Sequence, residues 1–389
     1  MLAGRQLMSP IFHAPTKINV LSWMQRPSCD GPTRAIIIKM LSYDILEWGK
    51  PLERVERETP KPRGTEVLLR LKYCGVCHSD VHIRDGYFNL GGGKRFHMTE
   101  RGMNLPLTLG HEPYGKIIAA GPDAADAPIG MDRLVYPWAG CGMCAHCQQG
   151  MDNYCTSPCC IGLHRSGGYA DHLLVPHPRY LVDATDIDPN WAATLSCSGL
   201  SAYAAVSKLK PIPHDEWVAV LGAGGLGLAS IGMLRSMGHA RIVAVDIGAS
   251  KLKAAAEAGA AATLNGEDAE AARMLRQIAG GSIYGAIDFV GSAGTAGLAL
   301  GALRKGGRLV LVGLYGGEIS LSVVSTVQRA LTIQGSHLGT LGELQSVVAL
   351  AREGKLQPIP IQTLPLAEVS SALDELKAGA IVGRLVVET

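Results

Sequence analysis

The 389-residue chain lacks any run of about 18 apolar residues free of charge, so no membrane-spanning helix is expected. It also lacks an excess of one charge sign: Lys+Arg 36 against Asp+Glu 34 leaves only +2. That balance excludes nucleic acid or a membrane surface as a generic partner. Aromatic residues are scarce at 5%, and ten cysteines are too few for a disulfide scaffold of this length. No secretory signal pattern opens the chain. What is present is 47% hydrophobic residues, enough to bury a large core, and 48 Gly, which imply many tight turns and close backbone approaches. Four of the cysteines fall within fifteen residues. That clustering reads as thiolates for metal in a reducing compartment, with cytoplasm as the expected location.

Residues 1–33 stand apart, with three basic residues, one acid and four prolines. They are expected to be a disordered extension or the product of an early start codon, and the prolines argue against a long amphipathic targeting helix. Strand-like runs follow at Ala35–Met40 and Glu66–Lys72, and residues 105–185 continue as short apolar runs broken by Gly and Pro. From Trp217 strands alternate with helices: VAVLG, a helix to Gly238, IVAVD, a helix from Ser250, AIDFVG, a helix near 295–304, and RLVLVG. That texture predicts βαβ units around a parallel sheet. The expected organisation is a β-rich domain over 34–198, an α/β domain over 199–337, and a return to the first domain over 338–389.

Gly222-Ala-Gly224-Gly225-Leu226-Gly227 follows the apolar strand Val218–Leu221 and opens a helix. The first glycine permits a tight turn, the second lets the backbone approach a pyrophosphate, and the third lets helix pack on strand. Asp246 lies nineteen residues on, at the end of the next strand, where a carboxylate can hydrogen-bond both ribose hydroxyls and repel a 2′-phosphate. NAD is therefore expected in preference to NADP. The plainer reading is a glycine-bearing turn with a helix-capping aspartate.

Cys141-x2-Cys144-x2-Cys147-x7-Cys155 supplies four thiolates on a Gly-punctuated loop. Four sulfurs close a tetrahedron and leave no room for substrate, so a structural zinc is expected in preference to buried free thiols or an iron–sulfur site. Cys159, Cys160 and Cys29 are expected to be ordinary thiols.

Three further segments carry chemistry: Cys77-His78-Ser79-Asp80-Val81-His82, Gly110-His111-Glu112, and Cys197 in Leu-Ser-Cys-Ser-Gly. Two thiolates and an imidazole make three protein ligands and leave a fourth corner for a substrate oxygen. A divalent cation there lowers the pKa of an alcohol. On composition alone the three segments could be unrelated.

Taken in order, CHSDVH, GHE, CGMCAHC with Cys155, SCSG, GAGGLG with Asp246, and the terminal GRLVV closely resemble the zinc-dependent alcohol dehydrogenases of the medium-chain dehydrogenase/reductase superfamily. The resemblance spans about residues 34–389. It implies a GroES-like catalytic domain joined to a Rossmann domain, and oxidation of an alcohol to an aldehyde or ketone with NAD. It further implies a catalytic zinc on Cys77, His111 and Cys197, with Glu112 beside it and Asp80 orienting His111. Ser79 and His82 would form the proton relay. His78, Lys251 and Arg384 would contact the cofactor phosphates and ribose. Val312, Leu314, Ser336 and Leu338 would hold the nicotinamide carboxamide. Two zinc ions per chain and a homodimer or homotetramer are likewise implied, and Cys74 has no ligand role.

The chain departs from the family pattern between Cys77 and His111, where 33 residues intervene, about ten more than usual. The surplus runs from Asp85 to Arg101 and should reshape the substrate pocket. It is expected to be a solvated loop, hinged by Gly91–Gly93, with Lys94 and Arg95 as candidates for steering an anionic substrate. Trp138 and Leu163 fall in pocket-facing regions. The competing readings are a polyol or sugar dehydrogenase of the same superfamily, from which Cys197 points away, and a non-catalytic zinc-ribbon interaction module. Near-zero net charge and the glycine turn oppose the latter.

Overall fold

A computed structural model of the protein describes residues 39–389. The expectations for residues 1–33, for Cys29 and for the first part of the run Ala35–Met40 lie outside the described residues. The strand anticipated there spans Lys39–Ile45 and pairs with Glu53–Glu58 and Leu107–Thr108 in a small antiparallel sheet. Glu66–Lys72 becomes the long strand Val67–Val76, whose alternate residues are almost all buried.

That strand is central to a seven-stranded sheet. Along it lie Leu181–Val182, Asp132–Val135, Pro113–Ala120, Val67–Val76, Arg384–Glu388 and Ile361–Pro365, while His172–Val175 also pairs with Val67–Val76. Arg384–Glu388 runs antiparallel to Val67–Val76 and parallel to Ile361–Pro365, so the chain's last strand returns to the sheet built by its first half.

The α/β region forms a six-stranded, wholly parallel sheet in the order Ala262–Asn265, Ile242–Asp246, Val218–Leu221, Ile283–Asp288, Leu303–Leu311, Thr332–Gly335. Val218–Leu221 and Ile283–Asp288 are buried at every position, as expected of central parallel strands covered on both faces. The strand order reverses between these two, and open α/β sheets bind ligands in the crevice at such a switch point. Ala262–Asn265 and the helix Ala271–Ile278 were not anticipated, because only Leu264 of that strand is buried and no apolar run marks it.

Between the two sheets the chain passes through the helix Leu200–Leu209. A π-helical turn, Leu195–Gly199, precedes it and carries Cys197. Ser196 and Ser198 donate their hydroxyls back to the Ala193 and Thr194 carbonyls, which helps to bend the backbone there. The helix Leu341–Arg352 packs on Leu200–Leu209 and starts at a reciprocal cap: Glu343 N–H donates to Thr340 Oγ1, and Thr340 N–H to Glu343 Oε2. Among the described residues no helix is long and apolar enough to cross a membrane.

Candidate active site and metal centres

The helix His78–Asp85 begins immediately after strand Val67–Val76, with Cys77 as its N-cap residue. Its start is held by Asp80, whose Oδ2 accepts the Cys77 N–H at 3.1 Å. The same oxygen accepts the Tyr169 hydroxyl at 2.7 Å, and Oδ1 pairs with His111 Nδ1 at 3.0 Å. Asp80 and His111 are fully buried. With Nδ1–H donating to Asp80, the lone pair of His111 Nε2 is free, and this atom is buried with no hydrogen-bond partner.

That orphaned nitrogen points to a metal. Cys77, His111, Glu112 and Cys197 each offer a ligand atom within 4.8 Å of the others, and all four are buried. The Cys77 and Cys197 sulfurs stand 3.9 Å apart. The bond from Cys197 holds the Cys77 thiol well below its ordinary range despite burial, and His111 adds to the effect. Two sulfurs and a poised imidazole fit zinc, and the set leaves one corner open. Glu112 is the second carboxylate here: burial pushes it up to about 7, against the pull of Arg384. It is ion-paired to Arg384 through Oε1, while Oε2 is unpartnered. Cys74, also buried, lies outside this group.

The second cluster is Cys141, Cys144, Cys147 and Cys155, again with all sulfurs within 4.8 Å. Cys144 Sγ is 3.5 Å from Cys147 Sγ and 3.9 Å from Cys155 Sγ. Backbone N–H groups of Cys144, Cys141 and Ser157 donate to sulfurs of the set at 3.2–3.4 Å, the pattern that stabilises thiolate. The Cys147 N–H lowers the Cys144 thiol to about 6, whereas burial pushes Cys147 up to about 12. Cys159 and Cys160 take no part in the cluster.

The glycine turn faces the same cavity. Gly222 adopts φ +89, closed to most side chains. A Cβ on Gly227 would lie 1.9 Å from the Gly222 carbonyl oxygen, and one on Gly225 would lie 2.2 Å from Arg384 Cδ. Gly227 therefore fits the helix against its own turn as well as against Val220 of the strand. Around Gly224 the space is open, as approach of a pyrophosphate requires. Asp246 Oδ2 accepts the Ala223 N–H at 2.7 Å and Oδ1 the Gly248 N–H at 2.9 Å, so the carboxylate is locked at the strand end.

One cavity of about 810 Å³ brings these groups together. It is lined by the metal residues Cys77, His111 and Cys197, by Ser79 and His82, and by every anticipated cofactor position: His78, Gly222, Gly224, Gly225, Leu226, Gly227, Asp246, Lys251, Val312, Leu314, Ser336, Leu338 and Arg384. Trp138 and Leu163 line it as well. The Trp138 ring sits 5.2 Å from His111, its indole N–H donating to the Ser196 carbonyl. Sequence reasoning missed two partners, Tyr169 on Asp80 and Arg384 on Glu112. Arg384 and Glu112 are 272 positions apart, and no local pattern signals such a contact.

The insertion is ordered into an antiparallel hairpin, Tyr87–Gly91 with Lys94–His97, followed by a helical turn at Met98–Arg101. Gly91, Gly92 and Gly93 all take positive φ and make the tight hairpin turn. The hairpin packs on the segment Gly316–Glu318. Lys94 pairs with Glu318 at 3.9 Å and Arg95 lies 4.0 Å over the Tyr87 ring. Both are exposed and neither lines the cavity, whereas Arg101 does line it.

A buried thiolate–imidazole cluster opening onto the switch-point crevice of a parallel sheet defines a metal-dependent, dinucleotide-linked oxidoreductase. Family models agree: residues 63–186 match the alcohol dehydrogenase GroES-like domain and residues 225–353 the zinc-binding dehydrogenase domain. An NAD-dependent alcohol dehydrogenase of Sulfurisphaera tokodaii is 34% identical over 349 residues, covering 90% of this chain and 99% of that one. Among solved structures, the alcohol dehydrogenase of Aeropyrum pernix superposes with a TM-score of 0.81 at 29% identity, covering 90% of this chain and all of the other. The D-arabinose dehydrogenase of Sulfolobus solfataricus gives 0.77 at 27%, with the same coverage of both chains. The chain belongs to the zinc-dependent alcohol dehydrogenase family of the medium-chain dehydrogenase/reductase superfamily.

Proposed function

We propose that this protein interconverts an alcohol and its aldehyde or ketone with NAD, using one zinc at Cys77, His111 and Cys197 and a second, structural zinc at Cys141, Cys144, Cys147 and Cys155. The observation that carries the reading is the shared cavity: the first cluster and the glycine turn Gly222–Gly227 line one space. When bound, zinc supplies a Lewis acid for the carbinol oxygen and NAD supplies the hydride acceptor.

The chain's own residues do the rest. Asp80 fixes the His111 tautomer and ring orientation, and Tyr169 fixes Asp80. Ser79 and His82 share one face of the helix His78–Asp85, three residues apart. Ser79 Oγ accepts the alcohol proton and His82 takes it towards solvent. Burial, then the neighbouring His78, lowers the pKa of His82, so it stays a neutral base below ordinary imidazole pH. Arg384 and Lys251 supply positive charge to the phosphates and ribose, His78, whose pKa burial lowers, offers a neutral ring N–H, and Asp246 favours NAD. The catalytic part comprises 34–198 and 338–389, and the cofactor part 199–337. The return of Arg384–Glu388 to the first sheet supports it.

A cytoplasmic homo-oligomer is part of the same proposal. Thr332–Gly335 is an edge strand of the parallel sheet, and beside it in sequence the helix Val323–Gln328 exposes Val323, Val324 and Val327 at 65–76%. An open edge next to exposed valines suits pairing with a second copy. The test is NADH formation by purified protein across primary, secondary, aromatic and polyol alcohols. Turnover led by simple alcohols supports the reading, whereas turnover confined to polyols would move it to the sugar dehydrogenase branch.

A further inference from the structure

We propose that Arg101 is an anion-binding group in the substrate pocket, and that the physiological substrate is an alcohol, or its carbonyl partner, bearing a carboxylate at the end away from the reacting carbon. This rests on the dehydrogenase reading above and adds the substrate class.

The insertion places Arg101 firmly. Met98 and Met103, on either side, are fully buried, and the turn between them closes through the Gly102 N–H on Thr99 O and the Met103 N–H on Met98 O, at 3.0 and 3.1 Å. The guanidinium carbon lies 5.3 Å from the Phe88 ring centroid, and Phe88 in turn lies 5.6 Å from the His82 ring. The cation therefore sits on the wall that continues from the proton-relay helix, half-buried and facing the cavity.

It also lacks an internal counter-charge. Among the described residues no carboxylate acts on Arg101: burial lowers its pKa and only Cys160 opposes that. The neighbouring acids are engaged elsewhere. Glu100 accepts the His97 N–H at 2.9 Å, and Asp152, on the same cavity, accepts from Arg179 at 2.7 Å. A partly desolvated guanidinium without an anion is costly, and a bound carboxylate relieves that cost through two parallel hydrogen bonds. Phe88, Trp138 and Leu163 line the same cavity, Phe88 adjoining both Arg101 and the His82 ring and Trp138 lying against His111. The ligand that fits is carboxylate, apolar body, carbinol, in that order. One charge suits this half-dry wall better than the two of a phosphate ester.

The experiment compares the ω-hydroxy derivative of hexanoate with hexanol, and with the matching phosphate ester, on zinc-replete enzyme with NAD. Wild type should favour the carboxylate over hexanol by at least about tenfold in kcat/KM, a difference of about 1.4 kcal/mol. Arg101→Gln should lower that ratio about tenfold through KM, Arg101→Lys should retain part of it, and Arg95→Gln should leave it unchanged. Calorimetry should show hexanoate binding to the NAD-saturated wild type and its loss in Arg101→Gln, a readout independent of turnover. Equal efficiency of wild type on carboxylate and hexanol would overturn the proposal without any variant. A preference for the phosphate ester would do the same, as would an Arg101→Gln defect confined to KM for NAD. Hexanoate binding with no turnover of any alcohol would sink the dehydrogenase reading while leaving the anion site standing.

Discussion

At Asp80 both carboxylate oxygens are occupied, one by His111 and the other by Cys77 N–H and the Tyr169 hydroxyl. A neutral amide in its place keeps the shape but weakens the orientation of His111. Asp80→Asn is therefore expected to lower zinc affinity at this site by about 10- to 100-fold, read by competition with a chelator. Removing a ligand is harsher: Cys77→Ala should cost several kcal/mol of rate, about a thousandfold or more in kcat/KM. The pH dependence belongs to His82. Its pKa lies below the ordinary imidazole value, so the base remains neutral as pH falls through that value, and oxidation slows only below its own, lower pKa. His82→Gln should slow oxidation by about 100-fold and abolish that acid limb in a pH–rate profile. At this scale the sequence was most legible. The relay residues and one ligand fall together in Cys77–His82, but His111 and Cys197 lie in separate segments, and only the resemblance to a known family joined the three into one ligand set. Tyr169 and Arg384 were not legible in their contacts, because each meets its partner only through tertiary packing.

Among the elements, the turn Gly222–Gly227 and the loop Cys141–Cys155 were readable because their spacing is short and their chemistry local. What spacing did not reveal was which atoms make each glycine necessary. Gly227→Ala sets a Cβ against the Gly222 carbonyl, so it should destabilise the fold by about 1–3 kcal/mol and weaken NAD binding, measurable by melting with and without NAD. Asp246→Gly leaves the Ala223 and Gly248 N–H groups without their acceptor and removes the charge that disfavours a 2′-phosphate. The NAD over NADP ratio of kcat/KM should fall by about tenfold, or 1.4 kcal/mol. Cys144→Ser should reduce zinc from two to one per chain and lower the melting temperature, because a four-thiolate site contributes to folding. The hairpin Tyr87–His97 was the least legible element. Its charges suggested solvent, and Lys94 and Arg95 are exposed, but nothing in the spacing signalled that Arg95 lies over Tyr87, that Lys94 pairs with Glu318 or that the three glycines make its reversal.

The whole molecule was legible in outline: alternating strands and helices gave a parallel sheet, and short Gly-punctuated runs gave the mixed one. The sheet orders were not, since pairing such as Arg384–Glu388 on Val67–Val76 depends on contacts across most of the chain. The consequence of that pairing is functional. It carries Arg384 from the final strand to the point where Glu112 and the turn at Gly225 converge, joining the metal residues to the nucleotide side of the cavity. Assembly is also a property of this scale. Val323→Lys with Val327→Lys should shift the protein towards monomer in sedimentation experiments if the exposed helix and edge strand pair between copies.

One cavity joins a zinc-ready ligand set to a dinucleotide site. The most direct test of that union is zinc content and alcohol-dependent NADH formation on a single preparation, compared with Cys77→Ala. The wild type should hold two zinc per chain and turn over, and the variant should hold one zinc with turnover lost. Full turnover by a Cys77→Ala protein holding a single zinc would contradict it.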